Sequence, residues 1–151
     1  MKAIIQRVSS ASVSVDGVVC GSAEQGFLVL LGVTEGDSEK ETELLARKTA
    51  ALRIFCDGED KMNLSLTDIG GDALVVSNFT LCADTKKGNR PSFINAMAPD
   101  RANELYEYYC EELKKNGVNR VEKGVFGADM KIAINADGPV TITLDTDIWS
   151  K

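Results

Sequence analysis

Two hydroxyl residues, Ser77 and Thr80, bracket Asn78 and Phe79 in the run Ser-Asn-Phe-Thr-Leu at positions 77–81. A hydroxyl is a weak nucleophile unless a base stands beside it. The chain has no histidine in its 151 residues. Ser-His-Asp and Cys-His catalysis are therefore excluded within it, and the usual general base near neutral pH is missing. Ser77 and Thr80 can be read simply as strand hydroxyls bonded to backbone. The backbone itself can still act: amides at a strand end can form an oxyanion hole, and one such donor contributes about 3 kcal/mol of transition-state stabilisation.

Other stretches could bind. Lys86, Lys87 and Arg90 share a short loop with Gly88 and Phe93. On an acidic chain this is the best candidate for an anion contact, although charge runs are usually solvated surface. Phe126 and Met130, in Gly-Val-Phe-Gly-Ala-Asp-Met, could pack against a nucleobase or belong to the core. Arg7 puts a charge in an otherwise apolar first strand, either facing solvent or pinned by buried carbonyls. Gly138-Pro139 interrupts a β-rich run. Proline gives no N–H to a ladder and belongs at an edge, a strand start or a bulge. The pair reads as a turn between hairpin strands, or as a device that aims carbonyls, for which a cis X–Pro bond is one means.

The elements that must position these residues follow from patterning. Lys2–Val8 and Ala11–Val15 alternate in part and are rich in β-branched residues, and Asp16-Gly17 between valines predicts a hairpin. Gly26 to Val33 is an apolar run of strand length, buried on both faces. Ser38 with Glu41 forms a capping-box pattern. It predicts a helix to about Arg53 with Leu44, Leu45, Lys48, Ala51 and Leu52 along one side. Ala73 to Leu81 predicts a second apolar strand, after a polar loop around a short strand end. The irregular stretch 82–99 is long enough to suggest function. Asp100 is the expected N-cap of a second helix carrying Leu105, Tyr109 and Leu113, which Gly117 ends. The segments Asn119–Gly127, Asp129–Asn135 and Val140–Thr146 read as β. The result is one α+β domain over 1–151, sheet-rich with two main helices.

Composition is that of an ordinary soluble protein, 44% hydrophobic and 26% charged. No apolar run reaches the ~20 residues of a membrane span, and no signal peptide is visible. Cys20, Cys56, Cys82 and Cys110 stand singly, so neither a zinc site nor a disulfide framework is expected. Free, mostly buried thiols in a cytoplasmic chain are the expectation. The net charge of −6 argues against broad phosphate binding, so any nucleic-acid contact should be small and local.

Taken together and in order, Met1–Gly17, Ser77–Leu81, Ala83–Phe93, Phe126–Met130 and Asn135–Thr141 strongly resemble the D-aminoacyl-tRNA deacylase (DTD) family, end to end. One departure is plain: the family strand motif usually has Gln where this chain has Asn78. The resemblance implies a compact β-barrel-like domain with flanking helices, forming a cytoplasmic homodimer with no metal or organic cofactor. It implies hydrolysis of the ester between a D-amino acid and the tRNA 3′ end, including glycine mischarged on tRNA(Ala), with L-aminoacyl-tRNA spared.

The resemblance also assigns roles. Gly138-Pro139 would be a cis dipeptide inserted into the partner subunit's site. Its carbonyls would engage the substrate α-ammonium, and an L side chain would collide with it. Arg7 would hold those carbonyls. Phe79 and Thr80 would offer backbone amides to the ester carbonyl, flanked by Ser77 and Asn78. Phe126 and Met130 would line the adenine pocket, and Lys86, Lys87 and Arg90 are candidates for the tRNA end. The terminal adenosine's 2′-hydroxyl would assist the reaction. Two rivals remain from other classes: a non-catalytic binder of tRNA or nucleotides, and an esterase or amidase with Thr80 as nucleophile.

Overall fold

The computed structural model describes residues 1–149. Strand β1 (Lys2–Val15) is the spine. On one edge its first half pairs antiparallel with β3 (Gly26–Gly32), and its second half with β2 (Val18–Ala23). On the other edge β8 (Lys131–Asp145) pairs antiparallel along nearly its whole length. Parallel neighbours extend the sheet from β3 to β6 (Asp72–Ser77) and then β7 (Arg120–Lys123). Parallel strands need crossover connections. These are supplied by α1 (Glu39–Ala51) and α2 (Pro99–Lys115). A small hairpin, β4 (Phe55–Cys56) and β5 (Met62–Leu64), follows α1, and a short helix α3 (Thr146–Trp149) follows β8.

The sheet curls into a nearly closed barrel because β2 returns against β7. At Gly21 a Cβ would lie 2.4 Å from the Lys123 carbonyl oxygen, so only glycine allows this approach. The two sheet faces bury different sets. Phe27, Val29, Leu31, Ala73 and Val75 face the helices with Leu45, Leu105, Tyr109 and Leu113. Leu28, Leu74 and Val76 face the barrel interior. Strand β1 changes face along its length: Ala3 and Ile5 join the helix-side core, whereas Val8, Ala11 and Val13 join the interior. Side chains alternate strictly in a strand, so a change of face requires an irregularity. The β1–β8 register shifts at Gln6/Val8, across Arg7, and again at Val8/Ser10, where two steps along β1 oppose one along β8 and the face changes.

Several local expectations are met. The Ser38–Glu41 capping box forms, with the Ser38 N–H donating to Glu41 Oε2 at 2.8 Å. Gly117 (φ +98°) ends α2, where the Val118 N–H bonds the Leu113 carbonyl and the Gly117 N–H the Lys114 carbonyl, a Schellman closure.

Others are corrected. Helix α2 starts at Pro99 with Ala98 before it and no side-chain cap, so Asp100 lies in its first turn. Proline at N1 has no N–H to satisfy and a fixed φ, and sets the start instead. Helix α1 ends at Ala51 and buries Thr42, Leu45, Ala46, Thr49 and Ala50, leaving Lys48 and Ala51 exposed. Threonine reaches the core here because its hydroxyl is satisfied. Thr49 Oγ1 donates to the Leu45 carbonyl and accepts from the Tyr109 hydroxyl, both at 2.8 Å. Strand β6 stops at Ser77, and Phe79–Cys82 forms a 3₁₀ helix. Gly124 to Asp129 is loop rather than strand. Cys82 and Cys110 are buried but Cys20 and Cys56 are exposed, so the free thiols divide evenly.

Candidate active site

Where β6 ends, the Asn78 N–H still donates to the Leu31 carbonyl at 2.8 Å, as a ladder bond would. Its side chain then turns the chain. Asn78 Oδ1 accepts from the Thr80 N–H at 3.2 Å and from the Thr80 hydroxyl. Asparagine favours this because its short amide reaches the backbone two residues on. The first N–H groups of a helix lack partners inside it. Asn78 satisfies that of Thr80 with its side chain and that of Leu81 with its carbonyl. Among the described residues the Phe79 N–H has no acceptor. The structure thus separates two amides that the sequence treats alike: Phe79 offers a free donor, whereas Thr80 offers one already held by Asn78.

Beside this turn lies a cavity of about 590 Å³, open to solvent. Ser77, Asn78 and Phe79 line it, together with Phe126, Gly127, Ala128 and Met130. Phe93, Met97 and, at the start of α2, Ala98, Pro99 and Ala102 complete it. Phe126 packs on Tyr106 with ring centroids 5.9 Å apart. Tyr106 anchors through its hydroxyl to the Val75 carbonyl at 2.7 Å. Burial pushes its phenol well above the ordinary range, so it stays neutral. Gly124 makes room for Met130, whose Sδ lies 2.7 Å from where a Cβ at 124 would stand. None of the described residues lining the cavity carries a carboxylate, an amine or a guanidinium. The walls suit a flat apolar ring, and the polar atoms at hand are backbone amides, the Ser77 hydroxyl and the Asn78 amide.

Gly138-Pro139 lies elsewhere on the chain, outside this cavity. It is no hairpin turn, because both flanking halves of β8 pair with the same strand. Gln6 faces Thr141 and Val8 faces Ala136, so Asp137 to Val140 loop out opposite the single residue Arg7. The Gly138–Pro139 peptide is cis, and both residues are exposed. Arg7 settles the choice left by its position in an apolar strand. Its Nη1 donates to the Ile54 carbonyl at 2.7 Å, and its Nε to the Asp137 carbonyl at 3.1 Å. The Asp137 carboxylate adds an ion pair at 3.4 Å. One guanidinium thus ties the looped-out segment to the connection after α1. Lysine, with a single charged nitrogen, could not span both carbonyls in this way.

Lys86, Lys87 and Arg90 also lie outside the cavity wall, exposed on a loop closed by two backbone bonds between Asp84 and Ser92. Their neighbour Phe93 does reach the cavity and meets Phe79 edge-on at 5.0 Å. Ser77, Asn78, Phe79, Phe126 and Met130 therefore line one cavity. Thr80 follows on the same turn. Met97, Ala98 and Ala102 were not singled out by the sequence. Their signal was the length of the irregular stretch and the proline opening α2.

Fold and site together are those of an α+β protein with a nearly closed, barrel-like sheet and an apolar cavity at the end of β6. The chain belongs to the D-Tyr-tRNA(Tyr) deacylase family, whose model matches residues 4–145. A D-aminoacyl-tRNA deacylase of Roseiflexus castenholzii is 56% identical over 149 residues, covering 99% of this chain and 94% of that one. A solved structure titled c-Myc DNA Unwinding Element Binding Protein superposes with a TM-score of 0.91 at 41% identity, covering 96% of this chain and 98% of that one. A second, described as a probable eukaryotic D-amino acid tRNA deacylase, has a TM-score of 0.79 over 95% of this chain and 97% of that one. Its 18% identity carries the fold alone.

Proposed function

We propose that this protein is a D-aminoacyl-tRNA deacylase. It hydrolyses the ester between a D-amino acid, or glycine mischarged on tRNA(Ala), and the 3′-terminal adenosine, and it spares the L ester. Family membership supports the reaction. The observation that carries the mechanism is a cavity wall without an ionisable base beside a free Phe79 amide.

In this reading the adenine packs against Phe126 and Met130. The ester carbonyl takes the Phe79 N–H, which stabilises the oxygen as negative charge develops on it. Thr80 plays a lesser part, because Asn78 already holds its amide and its hydroxyl. That hydroxyl donates to an amide oxygen, which is no base, so Thr80 is not the nucleophile. Water attacks the carbonyl carbon, the bond to the adenosine oxygen breaks, and the adenosine 2′-hydroxyl assists in activating the water or the carbonyl. The apolar walls strengthen these dipolar interactions by excluding bulk water.

Chiral rejection falls to Gly138-Pro139, held through Asp137 by Arg7. The dipeptide is exposed and lies outside the cavity of its own chain. That supports a homodimer in which each subunit's dipeptide enters the other's site, its carbonyls meeting the substrate α-ammonium. The long outer edge of β8, exposed over most of its length, fits burial in such an interface. A D side chain or a hydrogen is then accommodated, and an L side chain collides with the dipeptide. No helix among the described residues is long and apolar enough to cross a membrane, and a proofreading role beside translation fits a cytoplasmic protein.

The mechanism is tested with D-tyrosyl-tRNA ending in 2′-deoxyadenosine. A loss of rate by orders of magnitude relative to the normal terminus is expected. An undiminished rate would mean that the protein supplies its own base.

A further inference from the structure

The cavity is sized for a terminal nucleoside, yet its rim continues outward as an apolar surface. Phe79 is 59% exposed, Phe93 36% and Ile94 82%. Phe79 and Phe93 are in ring contact, and Ile94 follows Phe93 directly on the chain. Exposed apolar side chains scattered singly need no explanation, but these are contiguous with a ligand cavity. The segment is tied down on every side. Asp84 and Ser92 exchange backbone bonds at 2.8 and 2.9 Å, the Ile94 N–H reaches Ser92 Oγ, and the Glu35 N–H holds the Asn95 carbonyl at 2.8 Å. The Met97 N–H holds the Val33 carbonyl at 3.1 Å. A surface held in this way loses little freedom when something docks on it.

The same loop carries Lys86, Lys87 and Arg90 at its exposed tip, and among the described residues none of the three forms an ion pair. Most other cations of this acidic chain do pair, including Arg7, Arg101, Lys114, Lys115, Arg120 and Lys123. An apolar ledge next to unpaired cations is the arrangement that binds single-stranded nucleic acid: bases pack on the ledge while phosphates pass the charges. We infer that Phe93 and Ile94 form a platform for the unpaired nucleotide immediately 5′ of the terminal adenosine, with the 86–90 tip meeting its phosphates. The inference rests on the deacylase reading for the terminal adenosine in the cavity. It adds a second nucleotide subsite outside it and explains how an acidic protein grips an RNA end through one local patch.

The test pairs two substrates with two readouts. Wild type, Ile94→Ser and Lys87→Ala act on D-tyrosyl-tRNA and on the D-tyrosyl ester of adenosine alone. Their binding to a fluorescein-labelled RNA ending in CCA is followed by anisotropy. Ile94→Ser is expected to lose about five- to tenfold more kcat/KM on the tRNA ester than on the adenosine ester, and to weaken RNA binding similarly. Lys87→Ala should lower the salt dependence of RNA binding by a slope of about 0.7 per lost phosphate contact. Equal losses on the two esters, or RNA binding indifferent to Ile94, would overturn the platform while leaving the deacylase reading intact. Ile94-dependent RNA binding without ester hydrolysis would keep the platform and remove the deacylase reading. A change of oligomeric state in Ile94→Ser by sedimentation would make the ledge a subunit contact and likewise overturn the platform.

Discussion

Gly138 is where backbone, specificity and stability meet. Its φ of +125° lies in a region that L residues rarely adopt, and a Cβ there would stand 2.8 Å from the Val140 nitrogen and 3.2 Å from Arg7 Nη2. The nitrogen is backbone, so no rotamer change relieves the contact. For Gly138→Ala the strain is on the order of 1–3 kcal/mol, and it has two outlets. If the loop keeps its geometry, the cost appears as stability, lowering Tm by about 2–4 °C per kcal/mol in a domain of this size. If the loop shifts instead, its carbonyls and ring leave their places. The same 1–3 kcal/mol then appears as about a 5- to 150-fold loss of kcat/KM on the D ester or of discrimination against the L ester. Gly36 is the control: its φ is +93° but an added Cβ meets nothing within 4 Å. Gly36→Ala should cost stability and leave chirality alone. The assay is release of labelled tyrosine from D- and L-tyrosyl-tRNA, with Tm measured on the same preparations. Gly138→Ala with wild-type Tm, rate and D/L ratio would refute the reasoning.

Other outcomes follow from the same geometry. Thr80→Ala should keep kcat/KM within about tenfold, since loss of a true oxyanion donor costs about 10²–10³-fold; a larger fall in a folded variant would restore Thr80 to the chemistry. Arg7→Lys should admit the L ester and lower stability by about 1–3 kcal/mol, because two carbonyls lose charged donors, read from denaturant melts and the paired ester assay. At pH 7.5 a thiol reagent should titrate Cys20 and Cys56 in the native protein and all four cysteines in denaturant. Burial pushes the Cys110 thiol up to about 12, so little thiolate is available there. Ser38→Ala should cost about 1 kcal/mol. The hydrogen bonds from Ser38 hold the Glu41 carboxyl below its usual range. Its folded pKa is depressed, so the capping-box stabilisation is full above the ordinary Glu pKa of about 4.3 and is lost as pH falls through the folded value. The difference between wild type and Ser38→Ala in urea melts should therefore shrink at acid pH.

Much of the arrangement can be read from local sequence, and what cannot has a common cause. The buried strand at Gly26–Gly32, the Ser38–Glu41 cap and the Gly117 stop are local patterns, and they appear where patterning places them. The end of β6 is also local, but apolar periodicity hides it: Phe79 and Leu81 continue the strand pattern while Asn78 already turns the chain. Arg7 and Gly138-Pro139 depend on register. A proline in a strand points to an edge or a bulge, but only the pairing of Gln6 with Thr141 and Val8 with Ala136 shows that the loop rises opposite Arg7. Phe93 and Met97 join the cavity through contacts across the fold, including the bridge from Thr34 to Ala96, which no short window contains. The difference between the Phe79 and Thr80 amides is finer still, since it depends on where one side-chain oxygen points.

The most direct measurement is paired hydrolysis of D-tyrosyl-tRNA and L-tyrosyl-tRNA by the wild-type protein at low enzyme concentration, with a chelator present. Rapid loss of the D ester with the L ester intact is the predicted result, and it would establish the reaction and the chiral filter together. Loss of both esters at similar rates would contradict the role given to Gly138-Pro139, and loss of neither would contradict the deacylase reading itself.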